Sequence, residues 1–180
     1  MIVYFKGLKT PYVAAIDIEH DQGHMIQFAG ILMKRVGEEL YQVERSINFY
    51  VKRHHLNDFT TRYTHISVQF LEACGISLDE AQTKFYEEFI GEIPIEDITF
   101  VSHGIKQDSI VMRDSGLDIN EAPHLCTYNL AKQILKRDKR VKLSDVLNEA
   151  GFCSVLEHNA YTDALETIYA LSFLLKQEED

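Results

Sequence analysis

Cysteine is scarce in this chain of 180 residues: there are three, Cys74, Cys126 and Cys153, far apart and without paired spacing. An odd, scattered set gives neither a disulfide framework nor a thiolate metal site and suits free thiols in a reducing cytosol. Long apolar runs are missing as well. Ala170–Leu175 is interrupted by Ser172 and is far too short to span a bilayer. Lys6 and Lys9 fall where a signal peptide would carry its apolar core. The expectation is a soluble, cytoplasmic protein with no membrane partner. Positive charge is in short supply too, with 18 Lys and Arg against 28 Asp and Glu and a net charge of −10. That balance argues against the broad basic footprint of a non-specific duplex binder. It leaves nucleic acid open, because divalent cations bound by some of the acids would reverse the local sign.

What is present is ordinary for a globular protein: 46% hydrophobic and 26% charged residues. Without an internal repeat, a low-complexity linker or a break in composition, the chain reads as one domain over residues 1–180, with a core over about 11–177. Residues 1–10 carry no clear structure. From Pro11 onward a strand, a turn at His20–Gly23, a second strand over 24–34 and a third over about Glu39–Tyr50 form an antiparallel meander. His54–Thr64 is polar and irregular. One short helix with Ile66, Phe70 and Leu71 on its apolar face ends at Gly75, and another runs from Ser77 to Gly91. Ile98–Val101 reads as a buried strand, followed by a helix to about Gly116. Leu125–Thr127 is a weak strand leading into a helix over Asn129–Asp138. Two more helices follow, at about Ser144–Ala150 and from Ala160 onward with Leu165, Ile168, Leu171 and Leu175 inside. Strands followed by alternating helices and strands indicate an α/β sandwich around a mixed sheet.

Acids at the ends of these elements carry the chemistry. Tyr12–Glu19 is a small apolar run that ends in Asp17 and Glu19, two residues apart and so on one face of a strand. Two solvated loop acids would explain the pair as well as a metal site would. Asp108 opens the helix after a core strand, where the macrodipole alone favours an acid. Asp163 lies in the first turn of the last helix, preceded by His158 in the loop. In open α/β sheets ligands bind beyond the carboxyl ends of strands, which is where Asp17, Glu19 and Asp108 would be. The cations Lys132, Lys136, Arg137, Lys139, Arg140 and Lys142 form one concentrated patch. It reads either as a solvated helix end or as a phosphate-contacting edge.

The ordered set Asp17-Ile18-Glu19, His103-Gly104-x-x-x-Asp108 and His158-x-Ala160-x-x-Asp163-Ala164 resembles the three motifs of the DnaQ-like family, in particular its DEDDh branch of 3′–5′ exonucleases. Gln27–Ile31 stands in the place of that family's next strand, and Leu143–Leu147 resembles the helix before its third motif. The resemblance extends over about Val13–Leu174. Gly104 replaces the usual asparagine, Gln107 the usual bulky apolar residue, and His20–Gly23 a common Thr-Thr-Gly.

The resemblance implies an RNase H-like three-layer sandwich, a central mixed five-stranded sheet with helices on both faces. It implies two Mg²⁺ or Mn²⁺ ions held by Asp17, Glu19, Asp108 and Asp163, hard oxygen donors suited to such ions. His158 would be the general base, giving five catalytic residues. Ile18, His20, His103 and Gln107 would neighbour the substrate. The implied activity is hydrolysis of single-stranded DNA or RNA from the 3′ end, releasing nucleoside 5′-monophosphates. Open alternatives are a proofreading domain served by a polymerase and a catalytically quiet binding module on the same fold. Homo-oligomerisation also stays open.

Overall fold

Alternation along one strand, β2 (Tyr12–Asp21), decides how the layers stack. Ala14, Ile16 and Ile18 point into one apolar cluster, while Val13 and Ala15 point into another on the opposite face. The computed structural model describes residues 1–137, 139–154 and 158–177. Around β2 the sheet is completed by β1 (Ile2–Tyr4), β3 (His24–Arg35), β4 (Leu40–Tyr50), β5 (Ile98–Ser102) and β6 (His124–Cys126), in the order β1-β4-β3-β2-β5-β6. The first four strands are antiparallel neighbours, and β5 and β6 extend the other side in parallel.

The sheet therefore has six strands, not five. The additional edge strand, β1, pairs Ile2 with Gln42 and Tyr4 with Leu40. Its three residues are too few for a periodic pattern, and their pairing is visible only once β4 is in place. The β2–β3 hairpin closes through Gln22 and Gly23, both with positive φ, as a two-residue turn of the primed type requires. Within β3, Gly30 allows a close approach: a Cβ there would lie 2.5 Å from the Phe89 ring.

Helices cover both faces. On the first lie α3 (Leu78–Thr83), its π-helical continuation Lys84–Ile90, and α4 (Ile105–Asp114); Phe85, Phe89, Val111 and Met112 meet Ile16, Phe28 and Phe100. Ser77 caps α3 by accepting from the Glu80 N–H at 3.1 Å. On the second face α7 (Ala160–Gln177) packs Ala164, Ile168, Leu171 and Leu175 against Val13, Ala15, Ile31 and Val101. Leu165 is only half-buried. Outside α7 lie α5 (Thr127–Ile134) and α6 (Leu143–Glu149). The carboxyl end expected for α5, Asp138, lies outside the described residues, and α5 itself ends earlier.

The segment His54–Thr64 is not irregular throughout. Residues Asp58–Thr64 form α1, followed by α2 (Val68–Cys74). Asn57 caps α1 by accepting from the Phe59 N–H at 2.9 Å. A second anchor is remote in sequence: the buried carboxylate of Asp21 accepts from Thr60 Oγ1 at 2.6 Å and from the Asn57 N–H at 3.3 Å. The helix start is thus fastened to the end of β2. No helix among the described residues is long and apolar enough to cross a membrane.

Candidate active site

Asp17 and Glu19 continue the row of Val13 and Ala15, so they leave β2 on the face that α7 covers. The ladder to β3 shifts register just after Glu19, and β2 holds its regular pairing up to that residue, opposite Gln27. Gln27 is fully buried. Its Nε2 donates to Asn48 Oδ1 at 3.0 Å, and its Oε1 accepts from the Ala160 N–H at 3.4 Å. One amide side chain thereby ties the strand opposite Glu19 to the first residue of α7.

Two further acids arrive from helices. Asp108 lies in the first turn of α4, behind the β5 end. Ser102, the last residue of β5, donates its hydroxyl to Asp108 Oδ2 and accepts from the Gly104 N–H at 3.1 Å. Asp163 lies in the first turn of α7, where the Asn159 side chain accepts from the Tyr161 N–H at 3.1 Å and the Thr162 N–H at 3.4 Å. His158, Glu19 and Asp163 bring a ring nitrogen and two carboxylate oxygens within 4.8 Å of one another.

Crowding of like charges away from water makes these acids weak. Burial pushes the Asp17 carboxyl well above the usual range, and Asp108, Asp163 and Glu19 push it further. Glu19 is raised to about 7 by burial and then by Asp163 and Asp108. Asp163 also reaches about 7, through burial and then Glu166. Burial raises Asp108 to about 6 in spite of the Ser102 hydrogen bond. Among the described residues no lysine or arginine forms an ion pair with any of the four. Uncompensated buried carboxylates either take up protons or bind a cation. Oxygen donors without a thiolate fit a hard divalent ion such as Mg²⁺ or Mn²⁺.

His158 has an aromatic neighbour that the motifs do not reveal. The Tyr63 ring of α1 lies on the imidazole with centroids 3.8 Å apart and planes at 24°, and Phe59 stacks on Tyr63 at 5.7 Å. Both aromatic rings are exposed. Burial, then His65 and Lys142, lower the His158 pKa below its ordinary value, which keeps the ring neutral and able to accept a proton near pH 7.

The four residues expected beside the substrate separate. Ile18 is 6% exposed and points into the core on the face opposite the acids, because it alternates with them along β2. Its side chain therefore does not line the site. His103 has both ring nitrogens engaged inside the protein, with Thr127 Oγ1 at 3.0 Å and the Val141 carbonyl at 2.9 Å. Gln107 is exposed next to Asp108. His20 lies past the register shift, where its Nδ1 accepts from the Gly23 N–H at 3.3 Å.

Comparison with known proteins gives the family and the fold. The model of a family described as exonuclease, RNase T, matches residues 8–171. No curated protein sequence matches. Among solved structures, exonuclease I of E. coli in its zinc-bound complex with single-stranded DNA is similar with a TM-score of 0.72 at 15% identity, over 95% of this chain and 41% of that one. A 3′-exonuclease that recognises the histone mRNA stem-loop gives 0.72 at 16%, over 94% and 65%. Cell-death related nuclease 4 gives 0.69 at 17%, over 91% and 63%. The chain thus spans about two fifths to two thirds of the length of these structures, and at such identities the likeness establishes the RNase H-like fold.

Proposed function

The chain belongs to the RNase T exonuclease family, the DnaQ-like DEDDh group that its motifs resemble, and from that premise we propose that it hydrolyses single-stranded nucleic acid from the 3′ end, releasing nucleoside 5′-monophosphates. The observation that carries the reading is the convergence of Asp17, Glu19, Asp108 and Asp163, all with raised pKa, beside His158. We take residues 1–180 as one exonuclease domain with its core over about 11–177.

The four carboxylates would hold two divalent ions, Mg²⁺ or Mn²⁺, which when bound supply acidification of the attacking water and neutralisation of charge on the scissile phosphate. The carboxylates must shed their protons first, so their raised pKa values couple readiness of the site to pH and to the ions themselves. His158 accepts the proton of the attacking water at a ring nitrogen. The water oxygen bonds to phosphorus, the P–O3′ bond breaks, and the shortened strand leaves with a 3′-hydroxyl that takes its proton from solvent. Tyr63 holds the imidazole by its face, leaving the nitrogen-bearing edge directed at Glu19 and Asp163. Gln27 fixes the start of α7, and with it the distance from Asp163 to the Glu19 strand.

End polarity tests the reading. A 5′-labelled single strand incubated with Mn²⁺ should shorten as a one-nucleotide ladder, and a 3′-terminal phosphorothioate linkage should stall it. Internal cuts, or shortening of only the 5′ end, would overturn the proposal. Matched DNA and RNA strands in the same assay assign the sugar preference.

A further inference from the structure

His103 fastens part of the cationic patch to the mouth of the acid cluster. It directly follows Ser102, the donor to Asp108, and its Nε2 meets the Val141 carbonyl at 2.9 Å. Val141 is buried, and the residues on either side of it, Arg140 and Lys142, are exposed. Past His103, the Tyr128 ring stands edge-on with centroids 5.8 Å apart, and Lys132 Nζ lies 5.8 Å over Tyr128. Both loop cations act on rings beside the site. After burial, Lys142 is among the groups that lower His158, and Arg140 acts on His103 and Tyr63.

A solvated helix end explains Lys136 and Arg137, which follow the carboxyl end of α5, and Arg137 is paired with Glu149. It does not explain Arg140 and Lys142. They come after that helix, and Lys142 is the N-cap of α6, where the macrodipole disfavours a cation. Among the described residues neither is in an ion pair. In a chain of net charge −10, exposed cations flanking a buried residue that is tied to His103, next to the donor to Asp108, offer the attraction that a polyanion needs at that edge.

We infer that Arg140 and Lys142, with Lys132 behind them, form a phosphate track for the part of a single strand lying 5′ of the terminal nucleotides. The inference rests on the nuclease reading and adds the path of the strand. A second cationic group, Lys9, Lys34 and Arg35, lines a hollow at the opposite end of β2, too remote to share that path.

The experiment uses fluorescein-labelled oligothymidylates of three and ten nucleotides, with binding followed by anisotropy in Ca²⁺ at several salt concentrations. In Arg140→Glu/Lys142→Glu the ten-nucleotide strand should bind at least about ten-fold more weakly. The slope of log Kd against log salt should become shallower by about 1.4, from two phosphate contacts at about 0.7 each. The three-nucleotide strand should lose far less. Lys9→Glu/Lys34→Glu makes the same change in net charge and should keep the preference for length. Equal loss on both lengths, equal loss in both double variants, or no loss would overturn the track. If the charge reversal lowers the melting temperature, Arg140→Gln/Lys142→Gln should show the same length selectivity at smaller amplitude. Cleavage of the ten-nucleotide strand in Mn²⁺ is read separately. No cleavage with intact, salt-dependent binding removes the nuclease reading and keeps the track; cleavage with unaltered binding in the double variant removes the track.

Discussion

The Tyr63 ring lies flat on the His158 imidazole, with centroids 3.8 Å apart, although Tyr63 belongs to a helix that carries none of the acids. Stacking of this kind contributes about 0.5–1.5 kcal/mol beyond the area it buries. It fixes the plane of a ring that lies ahead of the first residue of α7 rather than within the helix. Tyr63→Ala should lower single-turnover cleavage by roughly ten-fold, part of the 10²–10⁴ that a positioned base contributes. Tyr63→Phe, which keeps the ring, should restore the rate. The Mn²⁺ midpoint of thermal stabilisation should be the same in all three proteins; a shifted midpoint would show that the stack shapes the metal site instead.

Removing the imidazole separates base from ligand. His158→Ala should reduce turnover by about two orders of magnitude or more while metal binding, read by melting in a Mn²⁺ titration, stays near wild type. The proximity of His158 to Glu19 and Asp163 makes the alternative concrete. A parallel loss of Mn²⁺ affinity would make it a ligand.

Gln27 connects β3 to α7 through a hydrogen bond from the buried Ala160 N–H, and its own side chain is fully buried. Gln27→Leu strands the buried Ala160 N–H, while the exposed Asn48 amide can turn to water. A stranded buried group costs about 1–3 kcal/mol, so melting should fall by several degrees and turnover with it. A variant with wild-type melting and wild-type rate would show that α7 is positioned without this link.

The acids set a pH dependence with a definite sign. Their folded pKa values, about 7 for Glu19 and Asp163 and about 6 for Asp108, lie above the unfolded range near 4. The folded state then binds more protons between about pH 4 and 7, so the stability these groups contribute is present in acid and is lost as pH rises through the folded values. Metal-free protein should melt lower at pH 7.5 than at pH 5. Asp17→Asn should flatten that dependence and raise the metal-free melting temperature at pH 7.5. Mg²⁺ or Mn²⁺ should stabilise the wild type more at pH 7.5 than at pH 5. A melting temperature that rises with pH in EDTA would contradict the clustering of the acids.

The five motif residues were legible because each is fixed locally: Asp17 and Glu19 by strand alternation, Asp108 and Asp163 by a first helical turn, His158 by the loop before one. The same alternation, applied strictly, places Ile18 on the wrong face to meet a substrate. Helix α1 was not legible. Its segment has no apolar period, and it is held by Asp21, remote in the chain and buried by tertiary packing. Tyr63 was lost with it. The roles of Gln27 and His103 were hidden for a similar reason, since their hydrogen-bond partners, Ala160 and Val141, are distant in sequence.

The most direct measurement is release of mononucleotide from a 3′-labelled single strand in Mn²⁺, comparing wild type with Asp17→Ala. Asp17 feels all three of the other acids, so its removal disturbs the whole cluster. The account predicts nucleoside 5′-monophosphate from the wild type, none in EDTA, and at least a thousand-fold less from Asp17→Ala, roughly 4 kcal/mol of lost transition-state stabilisation. Release that persists in EDTA, or that survives the loss of Asp17, would contradict it.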